Sequence, residues 1–141
     1  MRQYHRRMVI TYEWRDGFTD GELGELHAAG FGYRPTGHGW GEQVRRHSLG
    51  WVCAREAGGR LIGFVNVAWD GGRHAFLLDT VVSPDAQRGG IGSRLVAEAA
   101  REARAAGCEW LHVDFEPELS AFYLTECGFR TTAAGLLRLT D

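Results

Sequence analysis

Between residues 81 and 94 the chain reads V-V-S-P-D-A-Q-R-G-G-I-G-S-R, with a strand-like run before it and an alanine-rich helical pattern after it. That order constrains the fold more than any other feature. Pro84 cannot extend a strand's hydrogen-bond ladder, so the strand predicted over 74–82 must stop there. Glycine is kept where backbone has to bend or come close to something. The first N–H groups of a helix have no internal partners, and the helix dipole adds about half a positive charge at that end. With Gly89, Gly90 and Gly92 in front, no side chain blocks those groups, and the turn suits a phosphate. A plain strand-to-helix turn with convenient glycines is the alternative.

Two familiar phosphate loops are excluded. The chain has no Lys, so neither a P-loop nor a lysine Schiff base can form. A Rossmann turn requires a β–α–β start and an acidic residue at a second strand's end. Here a run of hairpins precedes the turn instead. Strands are predicted over 51–56, 60–69 and 74–82, joined by A-G-G and D-G-G, which is hairpin chemistry. They form an antiparallel meander.

Upstream, Val9 to Trp14 reads as a first strand. Thr19-Asp20-Gly21-Glu22 has capping-box spacing, with Leu23, Leu26 and His27 on one face of the helix that follows. A glycine-rich loop leads to a second short helix, W-G-E-Q-V-R-R-H. Downstream, Leu95, Val96, Ala99, Ala100 and Ala103 give the helix predicted from Ser93 to Ala106 its apolar stripe. A strand over 109–115, a helix over 118–127 closed by Gly128, and a last strand L-L-R-L-T complete the pattern.

These elements fit one domain over residues 9–141, with residues 1–8 as an N-terminal extension. A net charge of −2 gives no general attraction to nucleic acid or to an acidic membrane. No apolar run reaches spanning length, and the start lacks a signal peptide's apolar centre. Cys53, Cys108 and Cys127 show neither a CxxC nor a disulfide framework, and the six histidines show no ligand spacing. The expectation is a cytoplasmic protein without a metal.

The turn Q-x-x-G-x-G, preceded by V-V-S-P and set in this order of elements, resembles that of the GNAT family of acetyl-CoA-dependent N-acetyltransferases. The resemblance runs from the first strand to the C-G-F at 127–129. It implies an α/β (α+β) fold: a mixed, mainly antiparallel central sheet flanked by helices, with a splayed parallel strand pair. It also implies acetyl-CoA as cosubstrate, an amine acceptor that is a small molecule or a protein amino group, and a homodimer as one possible assembly.

Carried over residue by residue, the resemblance assigns the coenzyme pyrophosphate to Gln87, Arg88, Gly89, Gly90, Ile91, Gly92 and Ser93. It assigns the pantetheine arm to the backbone of Thr80, Val81 and Val82, which it joins like an added strand. An alkylamine is mostly protonated at neutral pH, and deprotonating it costs roughly 4–5 kcal/mol, so a general base assists. His112 occupies a strand position where some relatives place a base, and Asp114 shares its face and could orient it. Asp79 is the second candidate, a carboxylate inside an apolar strand that must be solvated, paired or functional. Tyr123 lies on the helix where relatives carry the general acid, but five residues before Gly128 rather than four. One residue turns a helical side chain by about 100°, so a bulge or a longer cap has to absorb the difference. A packed core aromatic is the other role open to Tyr123, and a His on a half-exposed sheet face the other for His112.

The resemblance also assigns acceptor selection to the first two helices and their loop, with Tyr33, His38, Trp40, Gln43, Arg46 and His47, together with Asp114. Packing of Trp40 and His47 onto the sheet is the alternative. Two further functions compete with the transferase: a non-catalytic acyl-CoA-binding module, and a nucleotide hydrolase that would need a carboxylate cluster from Asp79 and Asp85.

Overall fold

The computed structural model describes residues 9–141, so the extension expected over residues 1–8 lies outside the described residues. Five strands form one sheet in chain order: β1 (Thr11–Trp14), β2 (Ser48–Arg55), β3 (Leu61–Trp69), β4 (His74–Val82) and β5 (Trp110–His112). Neighbours pair antiparallel from β1 to β4, and β4 pairs parallel with β5. Both glycine turns of the meander form as expected. Gly59 and Gly71 adopt left-handed φ angles of 93° and 83°, and Asp70 Oδ1 accepts from the N–H groups of Gly72 and His74.

Helices α1 (Asp20–Phe31) and α2 (Trp40–His47) cover one face, and α3 (Ile91–Ala105) covers the other. The capping box starts α1: Thr19 Oγ1 accepts from the Glu22 N–H at 3.1 Å, and Glu22 Oε2 accepts from the Thr19 N–H at 2.8 Å. Such a cap is worth about 1 kcal/mol. The core accordingly has two halves. Leu23, Leu26, Trp40, Val44, Phe64 and Val81 pack under α1 and α2, while Val65, Val67, Leu77, Ile91, Leu95 and Ala99 pack under α3. Alternation along β3 serves both, which is why Phe64 and Val65 are equally buried.

Four expectations change. α3 begins at Ile91 rather than Ser93, because Gly90 at φ 75° turns the chain straight into the helix. The strand expected over 109–115 stops at His112. The helix expected over 118–127 is a 3-10 turn (Pro117–Leu119) followed by a π-helical segment, Ala121–Glu126. The last strand is absent: residues 130–141 carry no regular structure, and Leu136, Leu137 and Leu139 are 83%, 84% and 88% exposed. An alternating apolar pattern makes a strand only where a neighbouring strand offers a ladder, and β5 has just three residues.

Candidate active site

The parallel pair opens a cleft. Ladder pairs join His74 to Trp110, Ala75 to Leu111 and Phe76 to His112, and then end. β4 continues to Val82 while the chain after His112 leaves the sheet. Backbone groups of β4 beyond Phe76 that face this side therefore have no strand partner. Inside a sheet such a stretch of free N–H and C=O groups is a docking edge for an extended chain.

The glycine turn stands at the open end of that edge. Ser83 Oγ, Arg60 and Asp85 lock it: Arg60 donates through Nη1 to Asp85 Oδ2 at 3.0 Å and through Nη2 to Asp85 Oδ1 at 3.1 Å, and Ser83 Oγ donates to Asp85 at 2.5 Å. The Arg60 guanidinium beside it holds the Asp85 carboxyl at about 2, well below its ordinary value. Past this clamp, residues Gln87 to Gly90 are exposed. The three glycines do different work. Gly90 supplies the left-handed angle, Gly92 lets Phe122 approach to where a Cβ would meet its ring at 3.2 Å, and a Cβ at Gly89 would meet only the Ala86 carbonyl, at 4.0 Å. No acidic residue sits in the first turn of α3, and no side chain caps it. The residues present thus fit a pyrophosphate at this turn, held by backbone N–H groups.

A bulge shapes β4 at mid-cleft. Asn66 pairs with Leu78 and Phe64 with Val81, so β4 spends two residues, Asp79 and Thr80, where β3 spends one. Asp79 takes a φ of 58°, unusual outside glycine though tolerated by Asp. The extra residue turns Asp79 toward α1, where its carboxylate meets His27 at 3.0 Å. Sequence reasoning named Asp79 but placed His27 only on a helix face.

On the opposite face lies Tyr123. Its ring stacks on Phe115 at 4.8 Å and meets Phe122 and Phe129 edge-on. Burial raises its hydroxyl above the ordinary tyrosine value, with the nearby Thr80 side chain opposing. The π segment takes up the odd spacing to Gly128: the Cys127 N–H donates to the Phe122 carbonyl, five residues back, instead of four.

The fold has parallels in known proteins. The family model described as "Acetyltransferase (GNAT) family" matches residues 10–129. The chain belongs to the GNAT acetyltransferase family. A GNAT-family acetyltransferase from Streptococcus pneumoniae superposes with a TM-score of 0.76 at 23% identity, over 94% of this chain and 98% of that one. Aminoglycoside N-acetyltransferase AAC(6')-Iy in complex with CoA gives a TM-score of 0.76 at 19% identity, over 98% and 99%. Glucosamine-6-phosphate N-acetyltransferase from Arabidopsis thaliana gives 0.71 at 17% identity, over 93% and 99%. No curated protein sequence matches the chain.

Within this GNAT frame the remaining predicted residues sort by face. Thr80, Val81 and Val82 lie on the open stretch of β4, and Gln87 reaches back to donate to the Val82 carbonyl at 3.2 Å. Arg88 and Ser93 flank the turn, Ser93 Oγ donating to the Gly90 carbonyl at 3.0 Å. His112 is exposed at the end of β5. Its partner is His74, with Nε2 and Nδ1 2.7 Å apart, and its ring stacks on Phe76. Asp114, expected to orient it, lies beyond the strand and makes no such bond among the described residues.

The helix pair leaves a small opening. A cleft of about 160 Å³ lies between α1 and the loop to α2, lined by Asp20, Glu25, Tyr33, His38 and Trp40 among others. Trp40 both packs and lines: it is buried, and its ring lies 4.6 Å from that of His27. Gln43 Oε1 accepts from His38 Nε2 at 2.5 Å. His47 is exposed at the end of α2, away from this cleft, and Arg46 pairs with Glu42 on the surface. Burial raises the thiols of Cys53 (to about 12), Cys108 and Cys127, so none is a thiolate at neutral pH.

Proposed function

We propose that this protein moves an acetyl group from acetyl-CoA directly to a primary amine, of a small molecule or a protein. The observation that carries the reading is the parting of β4 from β5 after Phe76, with the free edge of β4 running on to the exposed Gln87–Gly90 turn. When bound, the coenzyme supplies a thioester, an acyl group activated toward amines. Gln87, Arg88, Gly89, Gly90, Ile91, Gly92 and Ser93 hold its pyrophosphate, and the free backbone edge of Thr80, Val81 and Val82 orients its arm. With all three cysteines kept as thiols, direct transfer is favoured over an acyl-cysteine enzyme.

Tyr123 is the general acid. Its raised hydroxyl stays protonated through neutral pH and so holds a proton for the departing sulfur. The acceptor enters from the α1–α2 side, where Asp20 and Glu25 favour a cation. Two structural neighbours are named for sugar amines, which supports a small-molecule acceptor of that kind. His112, beside His74 and Phe76, forms an aromatic floor on the same side and contacts the acceptor.

Calorimetric titration of acetyl-CoA, with ATP and NAD as controls, tests the first half of this reading. Micromolar binding of acetyl-CoA alone is expected, followed by thiol release with an amine panel. Binding without thiol release for any amine would instead identify a non-catalytic acyl-CoA module. A preference for ATP would overturn the coenzyme assignment.

A further inference from the structure

The bulge that turns Asp79 toward α1 completes a chain of three side chains. His27 Nε2 lies 3.0 Å from Asp79 Oδ1, and His27 Nδ1 lies 2.5 Å from the Tyr33 hydroxyl. The imidazole is held between the rings of Phe31 and Trp40, at 4.4 Å and 4.6 Å. Only 12% of the His27 side chain and 25% of the Asp79 side chain are exposed. A carboxylate only accepts, so Nε2 carries the proton toward Asp79 and Nδ1 takes a hydrogen bond from Tyr33. Both ring nitrogens are then engaged, and the Tyr33 end of the chain reaches an open cleft. Tyr33 is 42% exposed and lines the cleft that Asp20 and Glu25 also line.

We propose that Tyr33, His27 and Asp79 form a proton relay that removes the ammonium proton of the acceptor. The inference rests on the acetyl-transfer reading above. Tyr33 is the catalytic residue, touching the amine; His27 and Asp79 act through it as positioning residues. An N–H bond of the ammonium breaks toward the Tyr33 oxygen as the Tyr33 proton passes to His27 Nδ1. The nitrogen keeps the electron pair and uses it for the new C–N bond, while sulfur leaves with the C–S pair. A second N–H proton, shed as the amide forms, balances the one the sulfur takes. The relay proton, held on an imidazolium facing Asp79, returns to solvent through the Tyr33 hydroxyl. Packing alone does not require this arrangement. An apolar side chain would fill the space between Phe31 and Trp40 without a bulge in β4 or a carboxylate at positive φ.

The titratable groups around the imidazole are Asp79 from β4 and Tyr33 from the loop after α1. His38 stands beyond the Trp40 ring at 4.7 Å from it, and Asp20 and Glu25 lie on the cleft walls.

The test compares two acceptors with the full-length enzyme: benzylamine, protonated at neutral pH, and benzhydrazide, already uncharged. Tyr33→Phe and His27→Gln should lower kcat with benzylamine at pH 7 by about 100-fold, the scale of general-base assistance, and with benzhydrazide by less than about threefold. The benzylamine deficit should shrink as pH rises toward 10, where the amine deprotonates unaided. Acetyl-CoA affinity should not change. Equal losses on both acceptors would make the cluster structural and overturn the relay, as would full activity in Tyr33→Phe. Wild-type protein that binds acetyl-CoA yet releases no thiol with these acceptors or with any amine of the panel would overturn the transfer reading itself, and the relay with it.

Discussion

Gly90 meets two demands at once: a left-handed turn into α3, and clear space ahead of the first free N–H groups of that helix. Gly90→Glu should fail at both. An L side chain at this φ costs about 1–2 kcal/mol, and the new carboxylate would compete for the N–H groups proposed to serve the pyrophosphate. Acetyl-CoA affinity by calorimetry should fall by about 100-fold or more; unchanged affinity would remove the cradle from the turn. Tyr123 separates chemistry from packing more cleanly. Tyr123→Phe keeps the ring against Phe115 and Phe129 and should leave melting temperature and coenzyme affinity near wild type, while kcat falls by about 10- to 100-fold. Wild-type kcat in that variant would return Tyr123 to a purely structural role. Residues whose role is set by their own backbone, such as Gly90 and Thr19, are legible in the sequence. His27 is not, because its partner Asp79 lies 52 positions away and faces it only through a bulge.

At the scale of elements, that legibility follows from how local the determining interactions are. The capping box of α1, the two glycine hairpins and the apolar stripe of α3 are written in neighbouring residues, and all form. β5, the π segment and the chain after Phe129 depend on partners distant in sequence, and these are the elements that depart from expectation. The π segment makes the point testable. It carries one residue more than an α turn would between Phe122 and Cys127. Thr125 is exposed within it. Deleting Thr125 should convert the π turn to an α turn, leave Tyr123 stacked on Phe115, and shift stability by less than about 1 kcal/mol. Loss of folding in that deletion, read by urea denaturation, would mean that the wide turn itself holds Tyr123 in place.

For the whole molecule, one side chain connects the parts that build the α1 side of the sheet. Arg55 at the end of β2 donates to Asp16 at 3.0 Å, to Glu22 at 2.8 and 3.1 Å, and to the carbonyls of Gly17 and Gly59 at 2.9 and 2.8 Å. It thereby ties the loop after β1, the first turn of α1 and the β2–β3 turn to the sheet. The arginine's hydrogen bonds lower the Glu22 carboxyl below its ordinary value, and burial opposes them only in part. A carboxyl depressed in the native state contributes stability in full above its unfolded pKa and loses it as pH falls through the native one. Glu22 and Asp85 therefore both withdraw stability as pH falls through their lowered native values, that of Asp85 at about 2. Arg55→Ala should cost about 2–3 kcal/mol at pH 7, the range for partly buried hydrogen bonds to charged groups. On acidification toward pH 2 the gap from wild type should narrow, because Glu22 loses the charge that the arginine binds as pH falls through its lowered native value. Urea denaturation of both proteins at the two pH values measures this. A gap that stays constant with pH would mean that Arg55 acts through its carbonyl contacts rather than through Glu22, and that the α1 side is fastened to the sheet without electrostatic help.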